Sequence, residues 1–320
     1  MSNIIAGLRE LLTQEASLSH WRTMLAFFDE LDEGPEKTFA LDYARSHLQE
    51  WPAELRVLNE LDAEHACWTL VGGLRLDCLH SHEAVYLLPE HKHITFLELE
   101  NLFHPQALNA ISKISQLESL ILRECEVMQK IEGYGALEHL HRLEFHGGVA
   151  QDLSWLGQLK QLKELSLVGE YPEDGYRSYK GPYLKSMKQL LGVRQLRALR
   201  LRRCDLLKDF RDLPAFRQLE VLEVSHCAQW RNLSLLARMP QLSEVNFSGC
   251  DRLITTQPMK ALKQLKKLDL SDCVSLRHLN GLVELPALEW LDLRGCSGLP
   301  GELARCYQGE EVKDLQRELG

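Results

Sequence analysis

An α/β solenoid is the fold class that this 320-residue sequence predicts, and three observations predict it. Leucine occurs 64 times, a fifth of the chain and roughly twice ordinary usage. A nine-residue pattern, L-x-x-L-x-L-x-x-C, returns again and again after about residue 70. Its copies keep a nearly constant step, and a fixed period of about 20 to 50 residues is the mark of stacked repeats.

Residues 1–66 do not repeat. Leu8, Leu11 and Leu12 begin one amphipathic helix, and Trp21, Leu25, Phe28 and Leu31 mark another. A third follows Pro35, includes Phe39, Tyr43 and Leu48, and ends before Pro52. This helical N-terminal cap is expected to cover the first edge of the sheet, which would otherwise expose core and unpaired strand. It holds 13 acidic and 5 basic residues, so nearly all of the chain's formal net charge of -9 lies there. The alternative for so acidic a cap is a docking face for a basic partner.

From residue 67 the pattern takes over. Clear copies are LESLILREC (117–125), LRALRLRRC (196–204), LEVLEVSHC (219–227), LSEVNFSGC (242–250), LKKLDLSDC (265–273) and LEWLDLRGC (288–296). Looser copies begin at residues 71, 94, 140 and 162. The central positions are Leu74, Leu97, Leu120, Leu143, Leu165, Leu199, Leu222, Val245, Leu268 and Leu291, in steps of 23, 23, 23, 22, 34, 23, 23, 23 and 23. Alternation of L-x-L is the period-2 signature of a short strand with one buried face. Between strands the spacing changes to three, as in Leu276, Leu279, Leu282, Leu285 and Leu288. That period suits 3₁₀ or extended turns, so the outer wall should be thin. Ten strands about 4.8 Å apart make one parallel sheet about 45 Å long.

These ten units, about 230 residues, resemble the leucine-rich repeat family. The resemblance implies a curved horseshoe with its parallel β-sheet on the concave face, spanning residues 67–300. It also implies a role in interaction. In that family the ninth position turns the chain out of the strand, with its side chain inside the solenoid. Cys125, Cys204, Cys227, Cys250, Cys273 and Cys296 occupy it, which implies buried thiols filling the core rather than redox or metal chemistry. Residues 301–320 should close the other end with a short helix bearing the stripe Val312, Leu315 and Leu319.

The one long step is the functional clue. Its extra chain lies near residues 169–183 and holds Tyr171, Tyr176, Tyr179 and Tyr183 among glycines and a proline, which reads as a protruding loop. Tyrosines give binding loops large amphipathic area at low entropy cost; the alternative is a loop packed back on its own coil. The next strand places Arg200 and Arg202 on the concave face, with Arg194, Arg197 and Arg203 nearby. Glu164 lies on one side, and Glu223 and Glu244 on the other. Such a set forms a binding hot spot, or else the arginines pair with the neighbouring glutamates and solvate the sheet. Trp290, Asp292 and Arg294 on the last unit form a second candidate, although packing against the C-terminal cap would also explain Trp290.

Other chemistries are expected to be absent. The chain shows no Walker motif, GxGxxG, GxSxG or HExxH. His80, His82, His91 and His93 with Cys78 cluster in one dimension only, without tight acidic or cysteine ligands, so no metal site is expected. A near-neutral solenoid argues against nucleic acid. No apolar run is long enough to span a membrane. Only about 20 residues follow the repeats, too few for the catalytic domain that bacterial leucine-rich repeat ubiquitin ligases carry. An odd number of cysteines, nine, fits a reducing cytoplasm. The expectation is a non-enzymatic adaptor or sensor, without cofactor, that binds a protein partner through the concave face and tyrosine loop. A stoichiometric inhibitor or immunity protein is the alternative within that class, and a hydrolase with an unrecognised site is the alternative outside it.

Overall fold

The computed structural model describes residues 2–62, 64–79, 83–104, 109–125, 136–147, 153–170, 181–227, 229–230 and 233–320. Twelve strands follow one another in chain order across a single open sheet. They are β1 (Val57–Leu58), β2 (Gly73–Asp77), β3 (Phe96–Glu100), β4 (Ser119–Arg123), β5 (Arg142–His146) and β6 (Glu164–Val168). Then come β7 (Ala198–Arg202), β8 (Val221–Ser225), β9 (Glu244–Asn246), β10 (Lys267–Asp269), β11 (Trp290–Asp292) and β12 (Cys306–Gln308). All neighbours are parallel except β12, which runs antiparallel to β11.

The ten expected strands are β2 to β11. Their central residues pair directly across the sheet, from Leu74 with Leu97 to Leu268 with Leu291. Val245 takes its place between Leu222 and Leu268. Neither irregular step disturbs the ladder, since Leu143 pairs with Leu165 and Leu165 with Leu199. The two end strands carry only two and three residues and no L-x-L alternation, so the repeat could not announce them.

Each coil turns in the same way. The eighth position of the unit adopts a left-handed backbone in eight coils: Asn101, Glu124, Gly147, Arg203, His226, Gly249, Asp272 and Gly295, with φ between 49° and 74°. Four of these positions are glycine or asparagine, which enter this region most readily; the turn takes the chain out of the strand and points the ninth side chain into the core. The cysteines there do more than fill space. The thiols of Cys204, Cys227, Cys250, Cys273 and Cys296 each donate to a backbone carbonyl one coil back, that of Leu167, Leu201, Val224, Phe247 and Leu270, at 3.0 to 3.6 Å. Burial pushes the Cys125 and Cys250 thiols up to about 12 and Cys296 to about 11. Behind this ladder the outer wall is a set of short 3₁₀ turns, such as Ser154–Gln158, Met187–Val193, Leu233–Arg238 and Gln257–Ala261. A wall this thin is what the three-residue leucine spacing predicts.

The ends are closed by helices. At the start lie α1 (Ser2–Leu12), α2 (Leu18–Asp29) and α3 (Pro35–Leu48), which share one hydrophobic core with the coils. Trp21 is 1% exposed, and its indole N–H donates to the Val57 carbonyl on β1 at 2.9 Å. The α3 face differs from expectation: Ala40, Ala44 and Leu48 are buried, while Phe39 is 48% exposed. Small alanines let α3 approach the core closely, and the bulkier aromatic falls outside that stripe. A single helical turn, α4 (Ala84–Leu87), lies between β2 and β3. At the far end α5 (Glu310–Leu319) buries Val312 and Leu315.

Two outcomes test this packing. Trp21→Ala removes a fully buried indole and its bond to β1, and should lower stability by about 3–5 kcal/mol in chemical denaturation. Maleimide labelling of the native protein at neutral pH should modify Cys306 alone, because the other eight cysteines are buried.

Candidate functional site

Strand positions three, five and seven of each unit face inward, and along the sheet they fall into three rows fixed by the register. The first third of this concave face is not open. Phe96 on β3 is 2% exposed, and it packs with Ile121 of β4 and Val57 under Leu18 and Ala53. Glu54 reaches Arg142 of β5 at 3.6 Å. The chain linking α3 to β1 therefore lies over the inner face as well as the edge. The open part of the concave face runs from β6 to β11.

Its centre is β7. Arg202 makes a bidentate pair with Glu223 of β8, one arm at 3.1 Å. Glu223 is only 6% exposed and also accepts the Ser225 hydroxyl at 2.9 Å, so its charge is held by three donors. Arg200 reaches Glu164 of β6 at 3.4 Å. Glu244 pairs with Lys267 of β10 at 3.1 Å. The arginines and glutamates that the repeat placed on one face are thus brought together as ion pairs between strands. Arg197 lies 3.9 Å from Glu220, Arg194 donates to the Leu191 carbonyl, and Arg203 occupies the left-handed turn after β7.

At the last unit Asp292 is 1% exposed, and its carboxylate accepts the Arg294 guanidinium and backbone N–H at 2.9 to 3.0 Å. Burial works to raise this carboxyl, but the Arg294 hydrogen bonds prevail and hold it below its usual range. Trp290 is half-buried and pairs in register with Gln308 of β12. The second candidate therefore sits beside the closing strand. Of the loop tyrosines, Tyr183 is half-buried and its carbonyl accepts from Gln189 at 3.3 Å. Tyr171, Tyr176 and Tyr179 lie outside the described residues.

Sequence reasoning passed over a second charged group on β5. Glu144 accepts from Arg142 at 2.7 Å and from the His146 ring at 3.1 Å. The His146 hydrogen bond, with help from Arg142, outweighs burial and holds Glu144 down to about 2. Beside it Glu170 and Glu124 meet over Gly147, whose φ of 63° and lack of a side chain make room for them. Burial raises Glu170, and its hydrogen bond to Glu124 raises it further. Reading positions five and seven of the loose unit 140–148 as concave would have found Glu144 and His146.

The histidines of the first coil have a structural place. His91 and His93 pack edge-on against Trp68, with ring centres 5.0 and 5.2 Å away. His80 and His82 lie outside the described residues. Among the described residues no group of three histidines, cysteines or carboxylates would hold a metal ion, and no helix is long and apolar enough to cross a membrane.

Glu144 yields a test with a definite sign. Its depressed carboxyl contributes stability that is present above its ordinary pKa of about 4.3 and is lost as pH falls through about 2. Glu144→Gln should melt below the parent protein at pH 7, and the gap should close as the pH is lowered from about 4.5 towards 2.

No protein-family model matches the chain, and no curated protein does. Solved structures are similar. Internalin C2 of Listeria monocytogenes shares 21% identity over 61% of this chain and 81% of its own, with a TM-score of 0.42. Internalin InlF of the same organism shares 13% over 81% and 93%, at 0.45. The leucine-rich repeat domain of the type III effector XopL shares 18% over 94% and 90%, at 0.39. With one strand per repeat unit, an unbroken leucine register and a thiol ladder behind it, the chain has the curved, open solenoid fold of leucine-rich repeats.

Proposed function

We propose that this protein is a non-enzymatic interaction module that holds a protein partner against the open concave face from β6 to β11. The observation that carries the reading is the placement of Arg200, Arg202 and Glu223 on β7 and β8, within the only part of the inner face that the N-terminal cap leaves free among the described residues. Repeat solenoids use their extended concave surfaces in this way. Charge pairs ordered before binding lower the entropy lost on docking and favour a partner of complementary pattern. Tyr171, Tyr176, Tyr179 and Tyr183 would border the same strand as a clamp. Trp290, Asp292 and Arg294 would form the far rim of the surface.

Adaptor or sensor is the role we assign within that class, and a stoichiometric inhibitor remains the second reading. Nine unpaired cysteines, eight of them buried, support residence in a reducing compartment such as the cytoplasm. A tight, salt-sensitive one-to-one complex in native cells would mark the inhibitor. A many-subunit assembly would mark the adaptor.

Arg200→Glu and deletion of residues 171–181 should each abolish capture of the partner from native cells, read by affinity purification and mass spectrometry, with thermal unfolding nearly unchanged. Arg202→Glu is a poorer probe. It would set a second carboxylate against the buried Glu223, at a cost of about 1–3 kcal/mol. Arg202→Gln keeps a donor there and should weaken capture at little loss of stability. Capture that survives all three changes would remove the concave centre from the interface.

A further inference from the structure

The edge of the sheet where the strands begin carries a feature that the interaction reading does not use. Residues at the second position of each unit stack there directly, because Lys163 N–H donates to the His141 carbonyl and Arg197 N–H to the Lys163 carbonyl, each at 2.8 Å. Three successive coils thus place His141, Lys163 and Arg197 in a column about 4.8 Å apart. Lys160, Arg194 and Arg217 lie beside that column, two residues before the first leucine of their units. The edge is a basic strip on a chain whose formal net charge is -9.

Partnering sets this strip apart from the concave face. Arg75, Arg123, Arg142, Arg200, Arg202 and Arg294 on the inner face each meet a carboxylate. At the edge, Lys160, Lys163, Arg194 and Arg217 are all exposed, and among the described residues none has an ion-pair partner. Arg197 has only Glu220, at 3.9 Å. A group of unpaired cations is tolerated when water or a visiting anion screens it.

The strip also has a hollow. A cavity of about 550 Å³ opens between the β5 and β6 coils, walled by His139, His141, Lys160, Lys163, Gln158 and Gln161, with Glu138 at its side. This is the coil whose repeat is one residue short, with a step of 22. Its size matches that of small-molecule sites rather than a flat protein contact. Ammonium, imidazole and amide groups all supply N–H donors, the set that phosphate oxygens accept. Glu138 is a single acceptor suited to a hydroxyl.

We infer that this cavity binds a phosphate-bearing small molecule, with Lys160 and Lys163 as its charge contacts and Glu138 as acceptor for a ligand hydroxyl. The sequence alone implied no small-molecule ligand. The site lies on the edge rather than the concave face, so it stands or falls independently of the protein partner.

Calorimetric titration of the full chain with inorganic triphosphate and with ATP, at about 150 mM salt, tests it. Saturable one-site binding of both is expected, tighter for ATP, and equal affinity overturns the Glu138 contact. Lys160→Glu with Lys163→Glu should weaken both by about tenfold or more. Arg252→Glu, a single charge reversal at an exposed site after β9, should leave both unchanged. All these positions are at the surface, so unchanged thermal unfolding will verify the fold of each variant. Absence of saturable binding by the parent chain, or unchanged binding by the lysine variant, overturns the proposal. So does a polyglutamate peptide that binds as tightly as ATP, since the edge would then read acidic polypeptide instead.

Discussion

The column of central residues from Leu74 to Leu291 is the constraint on which everything else depends. No coil can bury its own leucines, because a single turn of 22 or 23 residues has no interior. Each side chain is covered only when the next coil lays its equivalent beside it, and all ten are fully or nearly fully buried. Stacking therefore fixes the register, and the register then fixes which residues share the concave face, the outer wall and the strand-start edge. The left-handed eighth position and the inward thiol serve that stack. One turns the chain away from the sheet in eight of the ten coils, and the other hands a hydrogen bond to the coil before.

Charge divides the surface in a complementary way. On the inner face the cations and carboxylates satisfy one another, so anything docked there would meet an ordered but nearly neutral pattern. Replacing such pairs on binding gives discrimination more than raw strength. On the strand-start edge Lys160, Lys163, Arg194 and Arg217 have no carboxylate partner among the described residues, although Lys160 and Arg194 donate to backbone carbonyls. The same repeat thus presents two surfaces of different electrostatic character about one strand length apart.

Much of this was legible because repetition amplifies weak signals. Ten noisy nine-residue matches fix ten strands and their facing, even where Val245 replaces leucine or the step lengthens to 34. What lies outside the repeat was not legible. Val57 and Leu58 form a strand only because β2 offers an edge, and Phe96 is buried only because the chain after α3 crosses it. Phe39 points away because Ala40 and Ala44 decide which face of α3 fits. These are tertiary choices, set by neighbours distant in sequence. The ion pairs of the concave face were legible as composition, but not their partners. Of the edge column only Arg197 stood out, as a neighbour of Arg200, because His141 and Lys163 occupy a position that the leucine pattern treats as blank.

The extra residues between β6 and β7 leave Leu165 facing Leu199 and the Lys163 carbonyl bonded to both Arg197 and Ala198. The solenoid therefore behaves there like a shelf with a removable book. Segments of very different length and sequence would be exchangeable at this point, since closing a longer loop costs little once both ends are anchored. A scaffold that tolerates exchange at one point in this way can change what it displays there, in evolution or at the bench, without renegotiating its core.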